Sequence, residues 1–163
     1  MSAKSHLSSY EQKLLKDSQI LRELTGDELA VFIKKCTVHK YEAGDEIVCE
    51  GDAAPGLFFL LEGEAQVYLP MESEGKTRPS EVKLATFGPG MAFGEYSLLD
   101  SKPVSASIRA LDRVRVAIMP GKTFRALTEE HDGLGKIVYR NLLLDFVERL
   151  RKYDKELDIA FLR

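Results

Sequence analysis

The chain has 163 residues, of which 44% are hydrophobic and 30% are charged, a composition typical of one globular domain. Its 23 basic and 26 acidic residues give a formal net charge of −3, which argues against a general nucleic-acid-binding or anionic-membrane-binding protein. No apolar run reaches the roughly 18 residues of a membrane span, and the polar N-terminus lacks a signal-peptide core. Cys36 and Cys49 lie among apolar residues and are predicted to be reduced core thiols of a cytoplasmic protein.

Residues 1–37 are predicted to form an N-terminal helical segment. Ser8 and Thr25 each precede a glutamate by three residues, which is the spacing of a capping box at the start of a helix. After the second box, apolar residues recur at helical spacing and predict one buried face. The members of this stripe are Leu29, Phe32, Ile33 and Cys36.

Residues 38–120 are predicted to form a β-barrel. Short apolar segments alternate with turn glycines, a pattern typical of a sandwich or jelly-roll barrel. Apolar side chains alternate with other residues in the segments 65–69 and 113–119, which predicts strands buried on one face only. Residues 71–82 are polar and turn-rich, and we expect an exposed loop there. The predicted fold class is therefore α+β, mainly β.

Residues 121–163 are predicted to be helical again, with a short helix after Gly121 and a long one from about Leu134 to Leu157. All three segments are expected to form one structural domain. Apolar residues along the long helix are spaced alternately four and three apart, as in the seam of a coiled coil. This stripe either covers the barrel or forms a homodimer interface, and its length favours the dimer. The predicted dimer seam consists of Tyr139, Leu143, Phe146, Leu150 and Tyr153.

The segment 87–110 contains the densest cluster of residues suited to ligand binding. Gly88, Gly90 and Gly94 permit tight turns and close approach of a ligand to the backbone. Residues 95–100 are predicted to form a short helical turn, whose free amides would favour a phosphate. Glu95 can either accept hydrogen bonds from ribose hydroxyls or stabilise the start of its own helix.

The run Phe93-Gly94-Glu95, followed by Pro103 and by Ala106-Ser107-Ile108, resembles the phosphate-binding cassette of cyclic nucleotide-binding domains. The resemblance covers about residues 18–157, because the upstream turn glycines also match the family pattern. It implies a double-stranded β-helix, or jelly roll, with N-terminal helices and a long C-terminal helix. Catabolite activator proteins and kinase regulatory subunits have this architecture.

The resemblance also implies a binding site for cyclic AMP, cyclic GMP or a related small anion. Glu95 would bind the ribose, the amides of Tyr96 and Ser97 would face the phosphate, and Ser107 would lie near the base. The implied ligand-binding residues are Phe93, Gly94, Glu95, Tyr96, Ser97, Val104, Ser105, Ala106 and Ser107.

One position departs from the family pattern, because Val104 stands where the family has its phosphate-binding arginine. Breaking a buried arginine–phosphate pair costs about 2–5 kcal/mol, so weak binding of cyclic nucleotides is expected. Lys102 and Arg109 are the nearest cations. Lys102 precedes a proline, and Arg109 shares strand parity with Ser105 rather than with Val104, so the sequence leaves open whether either of them, or a partner, replaces the arginine.

The residue pattern does not favour an enzyme. His6, His39 and His131 are scattered along the chain and provide neither a cupin-like metal site nor a nucleophile–base pair. We therefore expect a non-catalytic sensor or regulatory module without a cofactor or metal. The alternative is a degenerate module that has lost its ligand and serves as a dimerising scaffold. Because the chain stops at Arg163, we expect no DNA-binding helix-turn-helix and a downstream protein partner.

Overall fold

Helices α1 (Ser9–Asp17) and α2 (Gly26–Lys35) begin the fold in the computed structural model, which describes residues 6–53, 55–73 and 75–162. Both helices start at the predicted capping boxes: the Ser8 and Thr25 hydroxyls accept from the backbone N–H of Glu11 and Glu28. Within the predicted helical segment 1–37 the structure has these two helices and a connecting turn, and the first strand begins at Thr37. The first five residues of the segment lie outside the described part of the chain.

The strands that follow form two antiparallel four-stranded sheets and a small hairpin within the described residues. In chain order the strands are β1 (Thr37–Tyr41), β2 (Glu46–Val48), β3 (Gly56–Glu62), β4 (Ala65–Leu69), β5 (Glu72–Ser73), β6 (Lys76–Thr77), β7 (Val82–Phe87), β8 (Ala92–Phe93), β9 (Ser107–Ala110) and β10 (Val114–Pro120). One sheet has the order β1-β10-β3-β8 and the other β2-β9-β4-β7, whereas β5 pairs with β6. Strands distant in sequence are thus neighbours, and this topology is that of a jelly roll.

The remaining elements are the short helix α3 (Glu95–Asp100), then α4 (Gly121–Glu130) and the 30-residue α5 (Asp132–Phe161). The first half of α5 packs into the helical part of the core through Leu134, Val138 and Leu142. Buried Asn141 ties this half to the turn after α1 by donating hydrogen bonds to two backbone carbonyls, at 3.0 and 2.8 Å. No helix in the described residues is long and apolar enough to cross a membrane.

The core has two clusters that share strands β3 and β10. Phe58 and Val116 face a cluster between the two sheets, whereas Phe59 and Met119 face a cluster made with the helices. The prediction that 113–119 is buried on one face only is therefore wrong, because the helices cover the outer face of this sheet. A fully buried Ala117 occupies a position that the alternation had assigned to the exposed face.

The one-sided prediction for residues 65–69 is also wrong, since Gln66 and Tyr68 are buried. Arg109 covers both side chains. Its guanidinium lies 4.4 Å from the centre of the Tyr68 ring and donates to the Gln66 amide oxygen at 2.7 Å.

The expected loop 71–82 contains the β5–β6 hairpin and ends in the first residue of β7, which the sequence did not predict. Arg78 anchors the loop by a two-pronged contact with the Glu50 carboxylate, at 2.9 and 2.8 Å. Cys49 is exposed at the end of β2, so its predicted core position is wrong, because the barrel cluster ends at Val48. Cys36 is partly buried, and burial raises its pKa to about 12.

Candidate ligand-binding site

A cavity of about 540 Å³ lies between the second sheet, helix α3 and helix α5. Its wall on the sheet side is mainly apolar and includes Val67, Ala85 and Ile108. Helix α5 closes the other side with Asp145, Arg149, Lys152 and Tyr153. The structure brings nearly all the predicted ligand-binding residues together in the lining, namely Phe93, Gly94, Glu95, Tyr96, Ser97, Val104, Ser105 and Ala106.

A close approach of two backbone segments fixes the start of α3. Gly94 adopts a left-handed conformation at φ +89°, and a Cβ atom there would lie 2.4 Å from the carbonyl oxygen of Gly56. Only glycine fits such a position without a shift of the backbone. The glycine thus holds the first residue of α3, Glu95, at the edge of the cavity.

Glu95 is buried at 4% exposure, and its carboxylate is directed at helix α5 rather than at its own helix. Its Oε1 accepts a hydrogen bond from Arg149 Nη1 at 2.6 Å. Helix α3 begins at Gly94 without a side-chain cap. Glu95 therefore does not cap its own helix by a hydrogen bond. Its carboxylate lies in the cavity lining, where the other predicted role, as a hydrogen-bond acceptor for a ligand, would place it.

Val104 lines the cavity as an uncharged, half-buried side chain packed against the barrel cluster. Its backbone N–H donates to the Asp52 carbonyl at 2.9 Å, and its carbonyl accepts from the Gly51 N–H at 2.8 Å. The position is therefore well anchored, and it offers a bound anion neither charge nor a side-chain hydrogen bond.

Ser107 was predicted to bind the ligand, but it does not line the cavity in this structure. Its side chain is buried, and its hydroxyl accepts a hydrogen bond from the Glu50 backbone N–H at 2.9 Å. The hydroxyl is therefore used to join β9 to the end of β2.

The two cations considered from the sequence lie away from Val104. Lys102 has a 79% exposed side chain and faces Asp100 at 3.9 Å. Arg109 forms an ion pair with Glu81 at 2.5 Å on the outer side of Tyr68 and does not line the cavity. The Arg and Lys side chains that do line it, Arg149 and Lys152, come from α5.

Arg149 was not predicted as a site residue, because it is one of many charged residues along a long helix and nothing in the local pattern distinguishes it. The guanidinium bridges two carboxylates, with Nη2 lying 2.6 Å from Asp145 Oδ2 and Nη1 bonded to Glu95. Burial alone would lower the pKa of Arg149, but the neighbouring Glu95 and Asp145 charges raise it above its ordinary value. Arg149 is therefore a permanent positive charge in the site.

The predicted dimer seam is partly engaged within the chain. Phe146 packs on Tyr96 with ring centres 5.5 Å apart, Tyr139 meets Phe124 at 5.7 Å, and Tyr153 lines the cavity. Leu143 and Leu150 remain 63% and 61% exposed. The homodimer stays a prediction.

Comparisons with known proteins agree with this geometry. The family model described as "Cyclic nucleotide-binding domain" matches residues 38–131. The chain belongs to the cyclic nucleotide-binding domain family. Its members are regulatory domains, and the cassette that the sequence resembled, residues 93–108, lies within the matched range.

Relatives of this cyclic nucleotide-binding domain occur in proteins of different activity. The chain is 34% identical over 150 residues to Glutaminase 1 of Bradyrhizobium diazoefficiens, covering 92% of this chain and 23% of that protein. It is 29% identical to the cAMP-dependent protein kinase type II regulatory subunit of Drosophila melanogaster, covering 71% of this chain and 29% of the relative. The chain thus spans about a quarter of these relatives, so the glutaminase reaction does not carry over to it.

A solved structure confirms the architecture. The catabolite activator protein of Thermus thermophilus superposes with a TM-score of 0.73 at 27% identity, over 88% of this chain and 63% of that one. The expected jelly roll with N-terminal helices and a long C-terminal helix is confirmed.

Proposed function

We propose that this domain is a non-catalytic cytoplasmic sensor that binds cyclic AMP or cyclic GMP weakly in the cavity beside α3. The observation that carries the proposal is the position of Glu95 and Val104 in one cavity. The first supplies a carboxylate for ribose hydroxyls, and the second replaces a phosphate-binding cation with an apolar side chain. Output passes to a downstream protein partner through α5, the helix that closes the cavity.

The expected affinity follows from the missing pair. Loss of a desolvated arginine–phosphate contact weakens binding by about 2–5 kcal/mol, and each 1.4 kcal/mol is roughly tenfold. A site that would otherwise be micromolar thus moves toward millimolar affinity. Without the arginine, hydrogen bonds from the ribose hydroxyls to Glu95 would orient the bound nucleotide.

Calorimetric titration with cAMP and with cGMP tests this proposal. We expect weak, saturable binding in the wild type. Glu95→Gln keeps the shape of the side chain but removes the anionic acceptor, and we expect it to weaken binding further in an Arg149→Gln background, where no guanidinium competes for the carboxylate. Glu129→Gln, an exposed site on α4, is the matched control in the same background and should leave binding unchanged. Submicromolar affinity in the wild type, or equal binding with and without Glu95→Gln in the Arg149→Gln background, would contradict the assignment.

A second candidate function is a dimerising scaffold that has lost its ligand. The exposed apolar face of α5 favours it, because residues such as Leu143 and Leu150 leave a large apolar strip in water. A second copy of the chain would cover this strip about a two-fold axis.

Light scattering tests the scaffold. We expect the wild type to have the mass of two chains and Leu143→Asp with Leu150→Asp to have the mass of one. Lys155→Asp, exposed on the same helix but outside the seam, should remain dimeric. A monomeric wild type would exclude this function.

A further inference from the structure

The carboxylate proposed to bind the ligand is already occupied by a residue of the same chain. Arg149 Nη1 donates to Glu95 Oε1 at 2.6 Å, across 54 positions of sequence. Glu95 is buried, and about a third of the Arg149 side chain is exposed. The contact therefore lies at the mouth of the cavity, where α5 meets α3.

We propose that Arg149 is a latch that holds α5 over the cavity and that a cyclic nucleotide enters by displacing it from Glu95. The inference rests on the proposed function, because it assigns the same carboxylate to the ligand. A neutral ribose hydroxyl forms a weaker bond to a carboxylate than a guanidinium does. The latch thus lowers the apparent affinity and couples ligand entry to the position of α5.

The contacts of α5 around Arg149 explain why its release would move the helix. Residues 145–153 span about two helical turns, and within them Asp145, Arg149, Lys152 and Tyr153 line the cavity. Phe146 packs on Tyr96, the residue that follows Glu95. This part of α5 is held to α3 by the ion pair and by contacts of Phe146 and Arg149 with Tyr96. Gln19, in the turn after α1, also donates to Glu148 at 2.9 Å, whereas the first half of α5 is buried in the core.

An opposite role for Arg149, as the cation for the ligand phosphate, fits the geometry less well. Both terminal nitrogens of the guanidinium already face carboxylates, Glu95 and Asp145. The charged lining groups are two carboxylates and two cations, the second cation being Lys152, so they sum to zero. Among the described residues, Asp145 Oδ2 is buried and accepts no hydrogen bond, although Arg149 Nη2 lies 2.6 Å away. The guanidinium N–H groups are therefore directed at Glu95 rather than at Asp145.

Hydrogen exchange of the ligand-free protein tests the latch independently of nucleotide binding. The main variant is Arg149→Gln with Asp145→Asn, which removes one charge of each sign and leaves the net charge unchanged. We expect amides of residues 144–155 to exchange at least severalfold faster, with exchange in β3 and β10 unchanged. Asp145→Asn alone keeps the Glu95 contact and removes only the ion pair within α5, so the excess exchange of the double variant over this single variant measures the latch. Arg151→Gln at an exposed site should behave like the wild type. Equal protection of α5 in the double variant would overturn the latch.

Titration with cAMP then separates the two roles of Arg149. If the latched state is populated about ten times more than the open one, its removal tightens apparent binding about tenfold. Weaker binding in the double variant would overturn the latch and identify Arg149 as the phosphate cation. Arg149→Lys should have a cAMP affinity between those of the wild type and the double variant, since a single ammonium cannot bridge both carboxylates. If no variant binds cAMP, the proposed function fails, while the exchange data still decide the latch.

Discussion

Replacing Val104 with arginine should restore the phosphate contact that the cavity lacks. The backbone at this position is fixed by two hydrogen bonds, to Asp52 and from Gly51, so the substitution changes the side chain without redirecting the chain. Val104 lines a cavity of about 540 Å³, which has room for a guanidinium beside a ligand.

The gain can be bounded from the surroundings of the site. A desolvated arginine–phosphate pair is typically worth about 2–5 kcal/mol, but position 104 is only half-buried. Glu95 and Asp145 would also compete for the new cation. We therefore expect the low end of the range, about 1.4–2 kcal/mol, or ten- to thirtyfold tighter cAMP binding. Loss of the valine from the barrel cluster should cost roughly 1 kcal/mol of folding free energy.

Calorimetry with cAMP measures the gain, and Val104→Met is the matched control because it adds length without charge. Methionine should give no comparable increase, and the gain in Val104→Arg should shrink at high salt, as an ionic contact requires. A folded Val104→Arg protein whose affinity equals that of the wild type would refute the reasoning. The cavity would then be closed to the phosphate, and the ligand-free scaffold would be the better description.

Two further predictions concern stability. Asn141→Leu leaves two backbone carbonyls without their donor, so it should lower the free energy of unfolding in urea by about 2–4 kcal/mol, whereas exposed Arg151→Leu should change it by less than about 0.5 kcal/mol. Burial would raise the pKa of Glu11, but hydrogen bonds from Arg115 and Ser8 lower it below its ordinary value of 4.5. The resulting stabilisation is present above pH 4.5 and is lost as the pH falls through the lowered pKa. Glu11→Gln should therefore reduce the decrease of the melting temperature in acid. A decrease equal to that of the wild type would contradict this.

Local spacing determined the features of the fold that the sequence predicted well. The capping boxes at Ser8 and Thr25 act within one helical turn, so their pattern marks the helix starts directly. Gly94 was also recognisable locally, because its left-handed turn favours glycine. The sequence predicted one site over residues 93–107, and the ligand-binding residues proposed there, apart from Ser107, line the cavity.

Long-range contacts determined the features that the sequence did not predict. Strand β7 is largely exposed and shows no alternation of buried and exposed residues, so only its pairing with β4 defines it as a strand. Tyr68 is buried because Arg109, 41 positions later, covers its ring. Arg149 belongs to the site only because α5 crosses the cavity, and a pattern of charges along a helix does not show which of them meets a partner.

The proposed signalling role depends on the division of α5 into a buried and an exposed half. The first half is anchored in the core by one buried face, on which Leu134, Val138, Asn141 and Leu142 lie. Residues from 143 onwards are half-buried or exposed, and their contacts with α3 run through Phe146 and Arg149. Segments with few buried contacts open at a small fraction of the global unfolding free energy. An event in the cavity that removes about 1–2 kcal/mol from the Glu95 contact would therefore be enough to shift the population of this half of α5, while the barrel that holds the ligand remains intact.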